Sequence, residues 1–191
     1  MDFKKTHTDP RVTRTRKLLR DAFVELIQEM DMQKISVNRL AERATINRVT
    51  FYLHYRDIPN MLEKMADDMI EEISTVLKET SMNHKEDKDR DWTMLMRLLE
   101  HIAEQVDFYK VILASKRIPI FRDRLLLFLQ DIIVARIEKT GDNFLVAGVQ
   151  KDILIWHNSS ALIGTIIAWL QNDMPYTPSF LAKQYTLLHH G

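Results

Sequence analysis

The segment Asn47-Arg48-Val49-Thr50-Phe51-Tyr52-Leu53-His54-Tyr55 holds the densest run of recognition chemistry in this 191-residue chain. Amide, guanidinium, hydroxyl, phenol and imidazole groups recur there, each able to donate to a base edge or a phosphate oxygen. No catalytic arrangement competes with it. The seven histidines form no His-x-x-x-His, His-Glu-x-x-His or Glu-x-x-His pattern, so no zinc or di-iron site can be written. Glu100 and Glu104 share a helix face beside His101, an arrangement that normally faces solvent. With no cysteine, disulfides, thiolate metal ligands and cysteine nucleophiles drop out together. No glycine precedes Gly141, which removes the backbone freedom a P-loop or dinucleotide fingerprint needs. Neither catalysis, nor a cofactor, nor a metal is expected.

The elements that must position these donors are short helices. Ser36 reads as the N-cap of a helix through Ala44, with Leu40, Ala41 and Ala44 inward. Thr45-Ile46-Asn47 makes a tight break, and Asn47 caps a second helix to about Tyr55. Two short helices joined by about three residues form the unit that can set a second helix in a DNA major groove. At about 100° per residue, Phe51 and Tyr55 fall together and pack on Leu40, Ala44 and Ile46. Val49, Thr50, Tyr52 and Leu53 then point the other way. Between Ile35 and Arg56 there are four arginines (39, 43, 48 and 56) and one acid, Glu42, a balance suited to a phosphate backbone.

The rest of the chain also has helical period. Before the pair, Leu18, Leu19, Ala22, Phe23, Leu26, Ile27 and Met30 make one apolar stripe, started by Thr13 or Asp9–Pro10. After it, Asp57 and Pro59 start a helix to about Glu79. Residues 81–91 are charged and poor in apolar groups and read as a mobile loop. Helices follow near 92–106, 108–115, 119–139 and 146–172, with a last one from Ser179. No strand alternation is convincing. The fold class is all-α: an N-terminal three-helix domain over 1–58 and a larger helical domain over 59–191.

Bulk properties agree with a globular protein, at 46% hydrophobic and 28% charged residues. The apolar runs are short or broken, so no membrane span is expected, and without a leader or cysteines the expected location is the cytoplasm. Net charge is zero but uneven. Residues 1–60 carry 12 Lys/Arg against 8 Asp/Glu, and the remainder 15 against 19. A basic excess confined to the N-terminal segment points to a polyanion partner there.

These residues carry a family resemblance. Thr15-Arg16-Lys17 through Asp21-Ala22-Phe23, Ile35-Ser36-Val37 with Leu40-Ala41 and Ala44, and Ile46 through Asp57 resemble the TetR family signature over about residues 10–62. The core formed by Thr50, the aromatic Phe51, Tyr52, His54 and the aromatic Tyr55 is highly specific to it. The resemblance implies a transcriptional regulator bound to a double-stranded DNA operator, by default a repressor. It implies that Ser36 and Val37 approach a phosphate, and that Asn38 touches a base or the backbone. Asn47, Arg48, Val49 and Thr50 would carry direct readout, while Tyr52 and His54 bond phosphates and set register. Two departures stand out: Thr45 and Val49 occupy positions where the family usually has glycine, and Ile58 replaces a frequent lysine. Arg56 is a candidate to compensate. The basic residues Lys4, Lys5, Arg11, Arg14 and Arg16 are read either as a DNA-tracking arm or as a disordered tail.

For the larger domain, the resemblance implies homodimerisation through the last two long helices, near 146–172 and 179–190. Val149, Ile153, Trp156, Ser160, Ile163 and Ile167 form one stripe there, with small Ser159, Ala161 and Gly164 nearby; an intramolecular core is the competing reading. A small apolar or cationic effector is implied among the middle helices. Its candidate lining is Met65, Met69, Met94, Leu98, Tyr109, Phe121, Phe128, Trp156 and His157, although such residues at helical spacing also make ordinary core. The alternative function is a helical co-regulator or adaptor that kept the fold and acts through protein partners.

Overall fold

The computed structural model describes residues 9–83, 87–114, 118–140 and 148–190. All of its regular elements there are helical: α1 (Pro10–Glu29), a 3-10 turn (Met32–Lys34), α2 (Val37–Arg43), α3 (Arg48–His54), α4 (Ile58–Asn83), α5 (Asp87–Glu104), α6 (Val106–Ala114), α7 (Pro119–Thr140), α8 (Lys151–Gln171) and α9 (Pro178–His190). The chain divides into two compact units between Met65 and Ala66.

In the first unit, Asp9 starts α1: its carboxylate accepts from the Arg11 amide at 2.8 Å, and Pro10 takes the first helical position, where its missing N–H leaves nothing unsatisfied. Arg11, Arg14 and Arg16 are therefore helical residues of α1, while Lys4 and Lys5 lie outside the described residues. The apolar stripe buries Leu19, Phe23 and Leu26, and α2 packs both on α1 and on α3.

In the second unit, α8 packs on α6 and α7, and α5 packs on α6 and α9. Phe121, Leu125, Ile166 and Leu170 are fully buried. The rings of Tyr109 and Phe121 both meet Phe108 edge-on, at 5.4 and 6.1 Å between centroids. The buried His101 imidazole shares a 2.9 Å hydrogen bond with the Tyr109 hydroxyl. The charged stretch read as a loop is mostly helix instead: α4 continues to Asn83 and α5 begins at Asp87, with residues 84–86 outside the described residues. A helix end that is polar all round has no apolar stripe to announce it.

By length and composition alone, α8 could cross a membrane, with a mean hydropathy of 1.5. Of its residues, Leu154, Ser159, Ile166, Trp169 and Leu170 are buried within its unit.

Candidate nucleic-acid interface

The α2–α3 connection is a hydrogen-bonded cap. The Ile46 amide bonds the Ala41 carbonyl at 2.9 Å and the Thr45 amide bonds the Glu42 carbonyl at 3.1 Å, which together make a Schellman motif. Its geometry requires a left-handed residue one position past the C-cap Ala44, and Thr45 supplies it at φ 55°. Glycine adopts that conformation without penalty, whereas a β-branched residue is strained in it. The departure from the family's glycine thus leaves the turn intact and stores strain in it.

Caps on both helices come from the residues the sequence singled out. The Ser36 hydroxyl accepts from the Arg39 amide at 3.4 Å, and the Asn47 side chain accepts from the Val49 amide at 2.8 Å. Asn47 is thereby occupied in holding the first turn of α3. Behind that helix, Phe51 and Tyr55 are buried, with ring centroids 5.6 Å apart. Ahead of it, Val49 is 62% exposed, Tyr52 51% and Leu53 77%. Arg48, Asn38 and Ser36 are also exposed, while Val37, Thr50 and His54 are half-buried.

The four arginines of this region are not equivalent. Arg43 folds back on α1, where its guanidinium grips Glu29 through two bonds of 2.6 and 2.7 Å and Glu25 through a third of 3.1 Å. The hydrogen bond from Arg43 lowers the Glu29 carboxyl below its ordinary range. Arg43 is therefore a clasp between α1 and α2, and is withdrawn from the cationic surface expected of it. Arg56 donates to Asp57 at 3.1 Å, which engages the candidate that was to stand in for the lysine absent at Ile58. Arg39 and Arg48 make no ion pair among the described residues and remain exposed.

The end of α3 is held by a residue that sequence reasoning missed. Lys64 reaches from the second turn of α4 to donate to the His54 carbonyl at 3.0 Å, with its ammonium 5.6 Å from the centroid of the Tyr55 ring. A cation on the last carbonyls of a helix complements its dipole. Helix spacing alone does not reveal it, since the two residues lie on different helices. Partial burial is the main force lowering the His54 imidazole below its ordinary pKa, with the positive charges of Arg16 and Lys64 adding to it.

The nine candidate effector residues differ in burial. Met69, Leu98, Tyr109 and Phe121 are buried in the second unit, with Met94 and Phe128 half-buried. Met65 is buried in the first unit. Trp156 and His157 are exposed on α8, and Trp156 stands 58% open. The hollows among the described residues of the second unit include these two. One, of about 370 Å³, is a polar cleft between α4 and α5 lined by Glu79, Thr80, Arg97, Glu100, His101 and Glu104 among others. The other, of about 590 Å³, runs between α4 and α7 beside Asp67, Ile70, Arg124, Leu127 and Phe128.

A capped helix-turn-helix with an acid-free outer face, followed by an all-helical unit, defines the architecture of a one-component regulator. Comparison with known proteins agrees. Residues 90–191 match a TetR-type family profile described as a transcriptional regulator C-terminal region. The chain is 23% identical over 171 residues to an uncharacterized HTH-type transcriptional regulator, YxbF, of Bacillus subtilis. That alignment takes in 87% of this chain but only 42% of the relative's length. A TetR transcriptional regulator from Streptococcus agalactiae superposes with a TM-score of 0.67 at 24% identity, over 94% of this chain and 96% of that one. The fatty acid degradation regulator FadR from Bacillus halodurans superposes at 0.71 with 14% identity, over 93% and 95%. This chain belongs to the TetR family of transcriptional regulators.

Two outcomes follow from the local geometry. Thr45→Gly relieves the left-handed strain and raises the stability of the first unit by roughly 0.5–1 kcal/mol after the entropy glycine adds to the unfolded chain, as read by urea unfolding. An unchanged or lowered midpoint would show that Thr45 is unstrained. For His54, whose folded pKa is depressed, the unfolded chain takes up the proton first as pH falls. Its stability contribution is therefore complete above about pH 6.5 and is lost below it. In thermal melts from pH 7.5 to 5, the drop in midpoint should be smaller in His54→Gln than in the native chain; equal slopes would refute the assignment.

Proposed function

We propose that this chain is a homodimeric, sequence-specific DNA-binding transcriptional regulator, acting by default as a repressor in the cytoplasm. The observation that carries the reading is the outer face of α3, which is exposed and free of acids, with Arg48 exposed at its start. Arg48 is suited to a bidentate bond with a guanine edge, and Asn47, Val49 and Thr50 share the first turn from which such helices read bases. Tyr52 and His54 are the candidate phosphate anchors, with Ser36, Val37 and Asn38 at the start of α2 as further backbone contacts. The reading domain is assigned to residues 1–58 and the dimerisation and effector domain to 59–191.

Dimerisation is supported by apolar surface that the single chain leaves uncovered. Ile153 and Trp156 on α8 are 53% and 58% exposed, and Phe180 and Leu187 on α9 are 46% and 58% exposed. At Gly164 an added Cβ would meet nothing within 4 Å, so this side of α8 is open to close approach by another helix. Two-fold pairing of α8 and α9 covers that surface and offers two reading helices to half-sites about one helical turn apart. A small effector, apolar or cationic, is proposed as the releasing signal. The α4–α5 cleft is polar, with Glu79, Glu104 and an Arg97–Glu100 ion pair on its walls, and it is one candidate place for such a molecule. An effector that binds better to the form unable to span both half-sites shifts the population away from DNA.

Anisotropy titration of purified protein against its own upstream duplex at two salt concentrations tests DNA binding. Affinity should fall steeply with salt. Arg48→Ala should cost about 1–3 kcal/mol and relax one base-pair preference, and Tyr52→Ala should weaken all duplexes alike. Salt-insensitive or absent binding, or variants that bind as the native chain does, would leave the adaptor reading in its place. Light scattering at micromolar protein should report twice the 22.6 kDa chain mass, and Trp156→Glu should shift it toward one chain. A native monomer would reject the dimer.

A further inference from the structure

The outermost ridge of α3 is apolar, and nothing within its own unit accounts for that. Successive residues turn by about 100°, so Val49 and Leu53 both lie within roughly 20° of the direction opposite the buried Phe51. They are 62% and 77% exposed, the first standing where the family usually has glycine. Neither contributes to the core that fixes the helix, and an exposed branched residue at each end of one turn is unfavourable in water. Together they form a small apolar ridge able to receive a partner of matching chemistry.

The surroundings restrict what that is. On the helical wheel the ridge is bordered by Thr50 and Tyr52, with Arg48 exposed at the start of the same helix, and α3 itself carries no acid. An acid-free apolar line flanked by hydroxyl groups, on a helix that opens with an exposed arginine, fits a polyanion that bears small apolar groups along a groove. The major groove of DNA is such a surface: its phosphates run along both walls, and the C5 methyl of thymine is the one apolar group its base edges present. Val49 and Leu53 are one helical turn apart, about 6 Å along the axis, close to two base-pair steps.

We infer that Val49 and Leu53 determine specificity by covering thymine methyl groups about two base pairs apart in each operator half-site. The inference rests on the DNA-reading function proposed above and deepens it. Base choice is then divided between a polar contact from Arg48 and an apolar one from this ridge. With glycine at position 49, only Leu53 would be left to make the second.

The test uses the full-length protein and a duplex that it selects from a randomised library. Each thymidine of the selected site is replaced in turn by deoxyuridine, which removes the methyl and leaves the pairing edge intact. Covering one methyl corresponds to about fourfold in affinity, so two positions per half-site should each weaken binding by roughly that factor. Val49→Ala should abolish the thymidine preference at one position and keep it at the other, and Leu53→Ala should do the reverse. Both side chains are exposed, so neither variant should change the thermal midpoint, and the salt slope should stay that of the native chain. Indifference to deoxyuridine at every position overturns the inference while leaving DNA binding intact, and points to a protein partner on the ridge. Persistence of the preference in both variants overturns it equally. Failure to select any duplex, with no salt-sensitive binding by the purified protein, overturns the DNA-reading function and this inference with it.

Discussion

The angle between α2 and α3 governs what the first unit can do, and it is set by three backbone groups around Thr45. Two amides turned back onto the carbonyls of α2 close the cap, and the left-handed backbone between them redirects the chain. Only with that redirection do Phe51 and Tyr55 reach the core, and only then does the opposite side of α3 face outward as a unit. A one-residue slip would rotate the helix by about 100° and bury the wrong face. The strained threonine is tolerated because the surrounding burial over-determines its conformation.

Around this turn, the first unit is tied by polar contacts of two kinds. Arg43 joins α2 to α1 through two carboxylates, and Lys64 joins the start of α4 to the last carbonyl of α3. Both are cations directed inward, toward protein. Arg48 stays outward at the start of α3, and Arg39 is exposed on α2 although its guanidinium donates to the Met30 sulfur. A region with a modest basic excess thus separates cations that hold the scaffold together from those that remain available to a ligand.

How much of this was legible in the sequence depended on the range of the interaction. The caps at Ser36 and Asn47, and the inward faces of Leu40, Phe51 and Tyr55, follow from local spacing and were readable. The Arg43 clasp joins residues 14 and 18 positions apart on different helices, so a surface arginine and a paired one look alike until the fold is known. The start of α5 was hidden because its residues are charged on every side. The middle-helix aromatics and methionines show the same limit in reverse. Helical spacing gives one pattern for core and for pocket lining, and it did not distinguish the fully buried Tyr109 from the largely open Trp156.

The Arg43 clasp has a bearing on how such a protein would search a genome. Every free cation on a reading surface adds attraction to any stretch of duplex, and competing sites vastly outnumber the correct one. Locking one arginine per reading head onto Glu25 and Glu29 reduces that indiscriminate attraction and takes nothing from the helix that distinguishes one sequence from another. Under the proposed reading, such a protein would spend less of its time on irrelevant DNA, and the ratio between right and wrong sites would widen without any new contact to a base.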